Sequence, residues 1–380
     1  MGLIVVTACL LGACGSRHAG EGATAPVPAH PVPTHPVPAH PVPNPRPTVK
    51  RSNLDYVSVN YCTNRVEDSG QPCETRFGAS GAAPTYGSLV VSIPRDHHCV
   101  GEIERPSCLR GEFSEDPDRH VVIKSITIGT KQDFFRAVRA QAGSGEDSCT
   151  FVFIHGFNTT FADAARRTAQ IAYDLAFKGA PILFSWPSHG GFLGATHYSD
   201  DRLRNAASVP VLRDFLRDLA RTSPAQHIYL IAHSMGALLT AQAVCQLDDR
   251  DARRFSEVIL AAPDIDATQF RTVIAPALVA KVAHLTLYAS SQDRVLRISR
   301  NVNGDDRAGD TTDGVITVPG MESIDASAVD TSFFGHSYYG ECRTVLDDIY
   351  YLLIAHLPTD RRFGMWKATA ATGSYYLFRP

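Results

Sequence analysis

The sequence predicts an α/β fold, a mostly parallel sheet with helices on both faces, and three observations carry the expectation. From Cys149 onward, short apolar runs take turns with helix-length amphipathic stretches over roughly 200 residues. That alternation calls for parallel strands joined by crossover helices. The composition is that of an ordinary globular protein, 44% hydrophobic and 20% charged over 380 residues, which is ample for a buried core. Finally, Ile231-Ala232-His233-Ser234-Met235-Gly236 reads as the end of one strand, a tight turn and the start of a helix.

The elements follow in order. Short β-like runs at Tyr56 to Cys62, Ser88 to Ile93 and His120 to Ile128 lie among Gly-, Pro- and charge-rich loops and should add strands to a sheet. Lys131 to Ala142 reads as a helix, and Gly143-Ser144-Gly145-Glu146-Asp147 marks a boundary. Phe151 to Ile154 is then a strand. Thr160 to Lys178 is a helix stopped by Gly179, and Ile182 to Trp186 another strand. Leu203 to Ala220 and Gly236 to Leu247 carry helical spacing. His227 to Ala232, Val258 to Ala262 and His284 to Ala289 read as strands, and Arg343 to Ala355 as a closing helix. The expected organisation is a signal over 1–14, a spacer over 15–52, a β-rich extension over 53–148, a catalytic core over 149–364 and a tail over 365–380.

At the amino terminus an apolar run from Gly2 ends in Leu11-Gly12-Ala13-Cys14, the form of a lipoprotein signal in which small residues precede a lipidated Cys14. No cationic side chain precedes the run. Gly15 is not the Asp of inner-membrane retention, so the expectation is an outer-membrane lipoprotein of the cell envelope, facing the periplasm or the cell surface. From Pro26 a Pro-Val-Pro unit repeats every five residues, which fixes φ, removes donors and makes a stiff polyproline II spacer. His30, His35 and His40 recur with it, but a step of five does not return to one face of a three-per-turn helix, so they form no metal stripe.

A formal charge of −3 gives no cationic field for a phosphate backbone, which argues against nucleic acid as a partner. No stretch approaches the roughly 20 apolar residues of a spanning helix. Export would permit disulfides, and the first expectations are Cys62 with Cys73 and Cys99 with Cys108, then Cys149 with Cys342; Cys245 reads as an inert core thiol. No CxxC pair or Cys/His spacing supports a zinc site, and no cofactor is called for.

Open parallel sheets place chemistry beyond the carboxyl ends of their strands. There, Ala232-His233-Ser234-Met235-Gly236 has the form of a nucleophile elbow with Ala in place of the first Gly. Residues two before and two after the serine must be small, and Ala or Gly satisfies this. The turn lifts Ser234 above the sheet and aims the Met235 amide at the attacked carbonyl. A serine needs a base oriented by a carboxylate, in the chain order Ser, Asp, His for this kind of turn. Asp293, after the next-to-last strand, and His336, in a loop before the closing helix, fit that order. Asp264 and Asp266 are rival acids, and His189, His197 and His233 rival bases. In Ile154-His155-Gly156-Phe157-Asn158 the Phe157 amide is the expected second oxyanion donor, with Asn158 an alternative. Ser188 to Asp201, holding Gly190, Gly191 and Gly194, is either a lid, a pocket wall or an ordinary loop.

Taken together, His155-Gly156-Phe157-Asn158, Phe184-Ser185-Trp186-Pro187-Ser188, Ala232-His233-Ser234-Met235-Gly236, Ala262-Pro263-Asp264-Ile265-Asp266 and Gly335-His336-Ser337 resemble the bacterial DUF900 branch of the α/β-hydrolase superfamily. The resemblance covers roughly Asn53 to Gly364. It implies an α/β-hydrolase fold, a Ser234, Asp293 and His336 triad, and esterase or lipase-like activity on a small-molecule or lipid ester. The competing expectation is a non-catalytic envelope scaffold that keeps the fold with an idle site.

Overall fold

The computed structural model describes residues 53–107, 110–191, 197–329 and 343–379. The signal-like segment with Cys14, the repeat with His30, His35 and His40, and Cys108, Phe192, Gly194, His336 and Cys342 lie outside the described residues.

Strands β1 (Leu54–Glu67), β2 (Phe77–Pro94) and β3 (Val122–Gly129) precede helix α1 (Lys131–Ala142). Then come β4 (Cys149–Ile154), α2 (Phe161–Asp174), β5 (Ala180–Ser185), α3 (Tyr198–Thr222), β6 (His227–His233) and α4 (Met235–Cys245). After the short α5 (Asp249–Ala252), β7 (Phe255–Ala261), α6 (Ala267–Gln269), α7 (Ala275–Lys281), β8 (Leu285–Ala289), α8 (Arg294–Asn303) and β9 (Met321–Asp325) follow. Helix α9 (Arg343–Leu353) and the hairpin β10 (Met365–Ala370) and β11 (Gly373–Phe378) complete the described chain.

Among the described residues, eleven strands form one sheet in the order β10-β11-β9-β8-β7-β6-β4-β5-β1-β2-β3. The run from β9 to β1 is parallel throughout. The β-rich extension is joined to that run, because β1 pairs in parallel with β5 and antiparallel with β2. The stretch read as a tail likewise joins the sheet, since β11 pairs with β9 through Tyr376 and Leu377.

The two-residue period of a strand sends alternate side chains to opposite faces, and each face carries its own apolar layer. Val152 and Ile154 of β4, with Leu230 and Ala232 of β6, pack with Phe134, Leu212, Phe215 and Leu239. Phe151 and Phe153, with Tyr229 and Ile231, pack on the other face with Ala165, Ile171, Val345 and Ile349. So α1, α3 and α4 cover one face, and α2 and α9 the other. Because α2 leaves the carboxyl end of β4 for one face and α4 leaves that of β6 for the other, the connections diverge between β4 and β6. Such a switch point opens a crevice at the carboxyl edge.

The expected Cys62–Cys73 pair needs correction, whereas the Cys99–Cys108 and Cys149–Cys342 pairs each include a cysteine outside the described residues. All five described cysteines that the fold places, Cys62, Cys73, Cys99, Cys149 and Cys245, are free thiols. Cys62 and Cys73 cannot pair because they belong to the layers on opposite faces of the sheet. Burial pushes the Cys62 thiol far up, and burial raises Cys245, which is half-buried on α4, as well. No described helix is long and apolar enough to cross a membrane.

Candidate active site

Ser234 joins β6 directly to α4 and sits at φ 51° and ψ −120°, a conformation that L-residues avoid. Such strain costs on the order of 1–3 kcal/mol and persists only where neighbours over-determine it. Here they do. The Ser234 amide donates to Ala261 O at 2.9 Å, and its carbonyl accepts from Ala237 N at 3.0 Å and Asp264 N at 3.2 Å. The residue is only 4% exposed. At the position two after the serine, a β-carbon on Gly236 would stand 2.4 Å from His155 O and 2.7 Å from Ile154 O. The expectation that Ala and Gly serve equally on both flanks therefore fails on this side: Ala232 fits before the serine, but backbone carbonyls leave no room for a methyl after it.

The loop after β4 packs directly on the nucleophile. A β-carbon on Gly156 would lie 3.0 Å from Ser234 Cβ and 2.8 Å from His233 Nδ1, so glycine lets this backbone come against the elbow. Phe157 follows and sets its ring edge-on to Tyr198, with centroids 5.4 Å apart. Asn158 adopts φ 54°, and its buried Oδ1 has no partner among the described residues.

The loop is braced from beneath by a group that sequence reasoning missed. Arg65, in β1 and 1% exposed, donates through Nε to Ser185 Oγ at 2.8 Å. Its Nη1 donates to Ser188 O at 2.8 Å and Gly78 O at 3.2 Å, and its Nη2 to Thr159 O at 2.7 Å. Burial draws the guanidinium down to about 9 against the opposing charges of Asp201 and Asp163, so it stays cationic at neutral pH. His155 lies beside it, stacked on Trp186 with centroids 5.3 Å apart, and Trp186 Nε1 donates to His155 O at 2.8 Å. Burial, then the Arg65 charge, pushes His155 down to about 3. The ring is thus neutral: Nδ1–H donates to Gly156 O at 2.9 Å, and Nε2 accepts from Ser185 Oγ at 3.0 Å, a tautomer assigned from these partners. An arginine inside an apolar strand carries no motif, which is why the sequence did not flag it.

The candidate acids separate by what they hold. Asp264 accepts from Ser299 Oγ at 2.6 Å and Tyr198 OH at 2.7 Å and faces Arg307 Nε at 3.7 Å. Asp266 accepts from Gln269 N at 2.6 Å and caps α6. Both are committed to the loop after β7. Asp293 follows β8 and caps α8, its Oδ1 accepting from Val295 N at 2.9 Å and Leu296 N at 3.0 Å. A helix N-terminus favours the anionic form there. Ser234 and Asp293 thus stand beyond the carboxyl ends of β6 and β8, with β7 between. His336 follows β9, whose last residue Asp325 pairs with Ala289 at the end of β8, but position 336 itself is outside the described residues.

The rival bases have surroundings of their own. His233 is 5% exposed beneath Gly156. His189 bonds through Nδ1 to Asp201 Oδ1 at 2.6 Å, and its ring stacks on that of His197. The structure therefore brings Ser234, Met235 and the Gly156-Phe157 loop together at the edge of the sheet, with Asp293 two strands away.

Comparison with known proteins finds weak similarities over parts of the chain. The protein is 10% identical to a Pyrobaculum calidifontis esterase, with a TM-score of 0.34 covering 80% of this chain and 85% of that one. It is 11% identical to a lipase-esterase related protein from Clostridium acetobutylicum, with a TM-score of 0.30 covering 53% and 93%. Among curated proteins, alr1448 of Nostoc sp. is 38% identical over 73 residues, which span 19% of this chain and only 17% of that protein. At these values the assignment rests on the family match instead. Residues 132–355, from α1 through α9, match the family described as "Alpha/beta hydrolase of unknown function (DUF900)", and the chain belongs to that family.

Proposed function

We propose that the protein is a serine hydrolase of carboxylic esters. The observation that carries this reading is the strained elbow at Ser234 with Gly156 and Gly236 fitted around it. A serine held at φ 51° and ψ −120° between a strand and a helix is the conformation a nucleophile elbow requires.

In the proposed cycle Ser234 Oγ attacks the ester carbonyl carbon while neutral His336 takes its proton, and Asp293 steadies the imidazolium. The Met235 and Phe157 amides hold the oxyanion. The tetrahedral intermediate collapses, His336 gives the proton to the departing alkoxide, and an acyl-enzyme remains. Water then attacks the acyl carbon with His336 again as base, the Ser234–acyl bond breaks, and the acid leaves. Lipidation of Cys14 would place the protein in the cell envelope, where lipid esters as well as soluble ones are candidate substrates.

The test is hydrolysis of p-nitrophenyl esters from acetate to palmitate by the purified chain. The expected outcome is turnover that is lost in Ser234→Ala, falls by roughly a thousandfold or more in His336→Ala, and declines as pH drops through about 6 to 7 where an imidazole protonates. Loss in His189→Ala with none in His336→Ala would move the base to the Asp201–His189 pair. No turnover of any ester by folded protein would favour the scaffold.

A further inference from the structure

The geometry points to a site for a divalent transition-metal ion, of the zinc class, made by His189, His197 and Asp200. One ligand atom from each of these residues lies within 4.8 Å of the others. His189 comes from the segment after β5, and His197 and Asp200 from the start of α3, so an ion here would join two elements that flank the candidate oxyanion loop. The site stands apart from the ester reading and does not depend on it.

Proximity alone would not carry this, because paired histidines and exposed carboxylates are common on surfaces. The second observation is Asp201. Its carboxylate is fully buried, and accepts from Ser188 Oγ at 2.6 Å, from the His189 backbone amide at 3.1 Å and from His189 Nδ1 at 2.6 Å. The Asp201 carboxylate engages Nδ1, which leaves Nε2 as the ring nitrogen of His189 open to an ion, a tautomer assigned from these partners. A buried carboxylate that fixes the tautomer and raises the basicity of the outward nitrogen is the support found behind metal-bound imidazoles. The His197 ring lies parallel to that of His189, with centroids 4.1 Å apart and 13° between planes, and Asp200 Oδ2 is 3.9 Å from His197 Nδ1. Parallel rings do not converge their in-plane lone pairs on one point, so an ion would draw the half-buried His197 out of the stack and Asp200 after it, closing the donors to the roughly 2.0–2.2 Å bonds of a four-coordinate ion with water as fourth ligand. Two imidazoles and one carboxylate suit zinc and its neighbours, whereas magnesium prefers an oxygen cage.

Equilibrium dialysis of the full chain against Zn2+ tests this, with bound metal counted by mass spectrometry. His197→Ala alters a half-buried surface ring and Asp200→Asn an exposed carboxylate, and both should leave folding intact. Each should retain about one zinc fewer per chain than wild type, whereas His97→Ala, an exposed histidine elsewhere, should match wild type. Asp201→Asn should weaken the same equivalent by about 10- to 100-fold. Co2+ in place of Zn2+ should give a visible ligand-field absorption that His197→Ala removes. Equal zinc content in wild type, His197→Ala and Asp200→Asn would overturn the proposal. So would Mg2+ displacing the ion at equal concentration, which would mark an oxygen site with no part for the imidazoles.

Discussion

Gly156 lies against Ser234 so closely that a β-carbon there would stand 3.0 Å from Ser234 Cβ. The loop that supplies the candidate oxyanion donor and the candidate nucleophile are therefore one packing unit, and a single methyl group separates the consequences for activity from those for folding. Gly156→Ala also crowds His233 Nδ1, at 2.8 Å, and should lower kcat/KM on an aryl ester by about 100-fold, the scale of a misplacement near 1 Å, at a cost of about 1 kcal/mol as side chains give way. Gly236→Ala meets immovable backbone instead and should cost about 2 kcal/mol of stability. Urea melts beside kinetics distinguish the two.

Arg65 holds Thr159 and Ser188 from below through bonds of 2.7 and 2.8 Å. Arg65→Met keeps the bulk and removes every donor, leaving buried carbonyls unsatisfied. It should destabilise the fold by about 3 kcal/mol. At a temperature where the variant remains folded, kcat should fall as well, because Phe157 is two residues from Thr159. Arg65→Lys supplies one point charge where a fork is needed and should recover only part of either loss. Chemical denaturation and ester kinetics on the same preparations check both arms.

Glu257 gives the fold an alkaline weakness. It is fully enclosed on β7, where burial raises it to about 8 despite the Thr286 Oγ hydrogen bond at 2.8 Å, with Glu322 adding to the rise. The unfolded carboxyl loses its proton near 4.5, so between that value and about 8 the folded state holds the extra proton. Stability from this group is complete below pH 4.5 and is lost as pH rises through 8. The melting temperature should fall by roughly 5 °C or more between pH 6 and 9, and Glu257→Gln should flatten the curve. Scanning calorimetry at several pH values measures it.

Much of this was legible in the sequence because periodicity and turn chemistry report on local physics. The alternation from β4 to β8 announced a parallel sheet, and the small residues around Ser234 announced the elbow. Three kinds of feature were not legible. Helix α8 has arginine at 294, 297 and 300, which dilutes its apolar signal although Leu296 is buried. Strand β10 is mostly exposed and short, so nothing in its composition distinguishes it from a tail. Long-range partners left no local trace at all: Arg65 reaches residues 94 and 123 positions away, and Cys62 and Cys73 are near in sequence yet belong to opposite faces. The His189, His197 and Asp200 cluster belongs to the same kind, because its spacing matches no zinc pattern and only the fold brings the rings together.

The central claim is that Ser234 is an activated nucleophile. The most direct measurement is reaction of the purified chain with a fluorophosphonate, followed by peptide mass spectrometry. One covalent adduct is expected, on the peptide that carries Ser234, formed within minutes at neutral pH, strongly slowed in His336→Ala and absent from Ser234→Ala. Folded wild-type protein that stays unmodified, or an adduct that persists in Ser234→Ala, would contradict it.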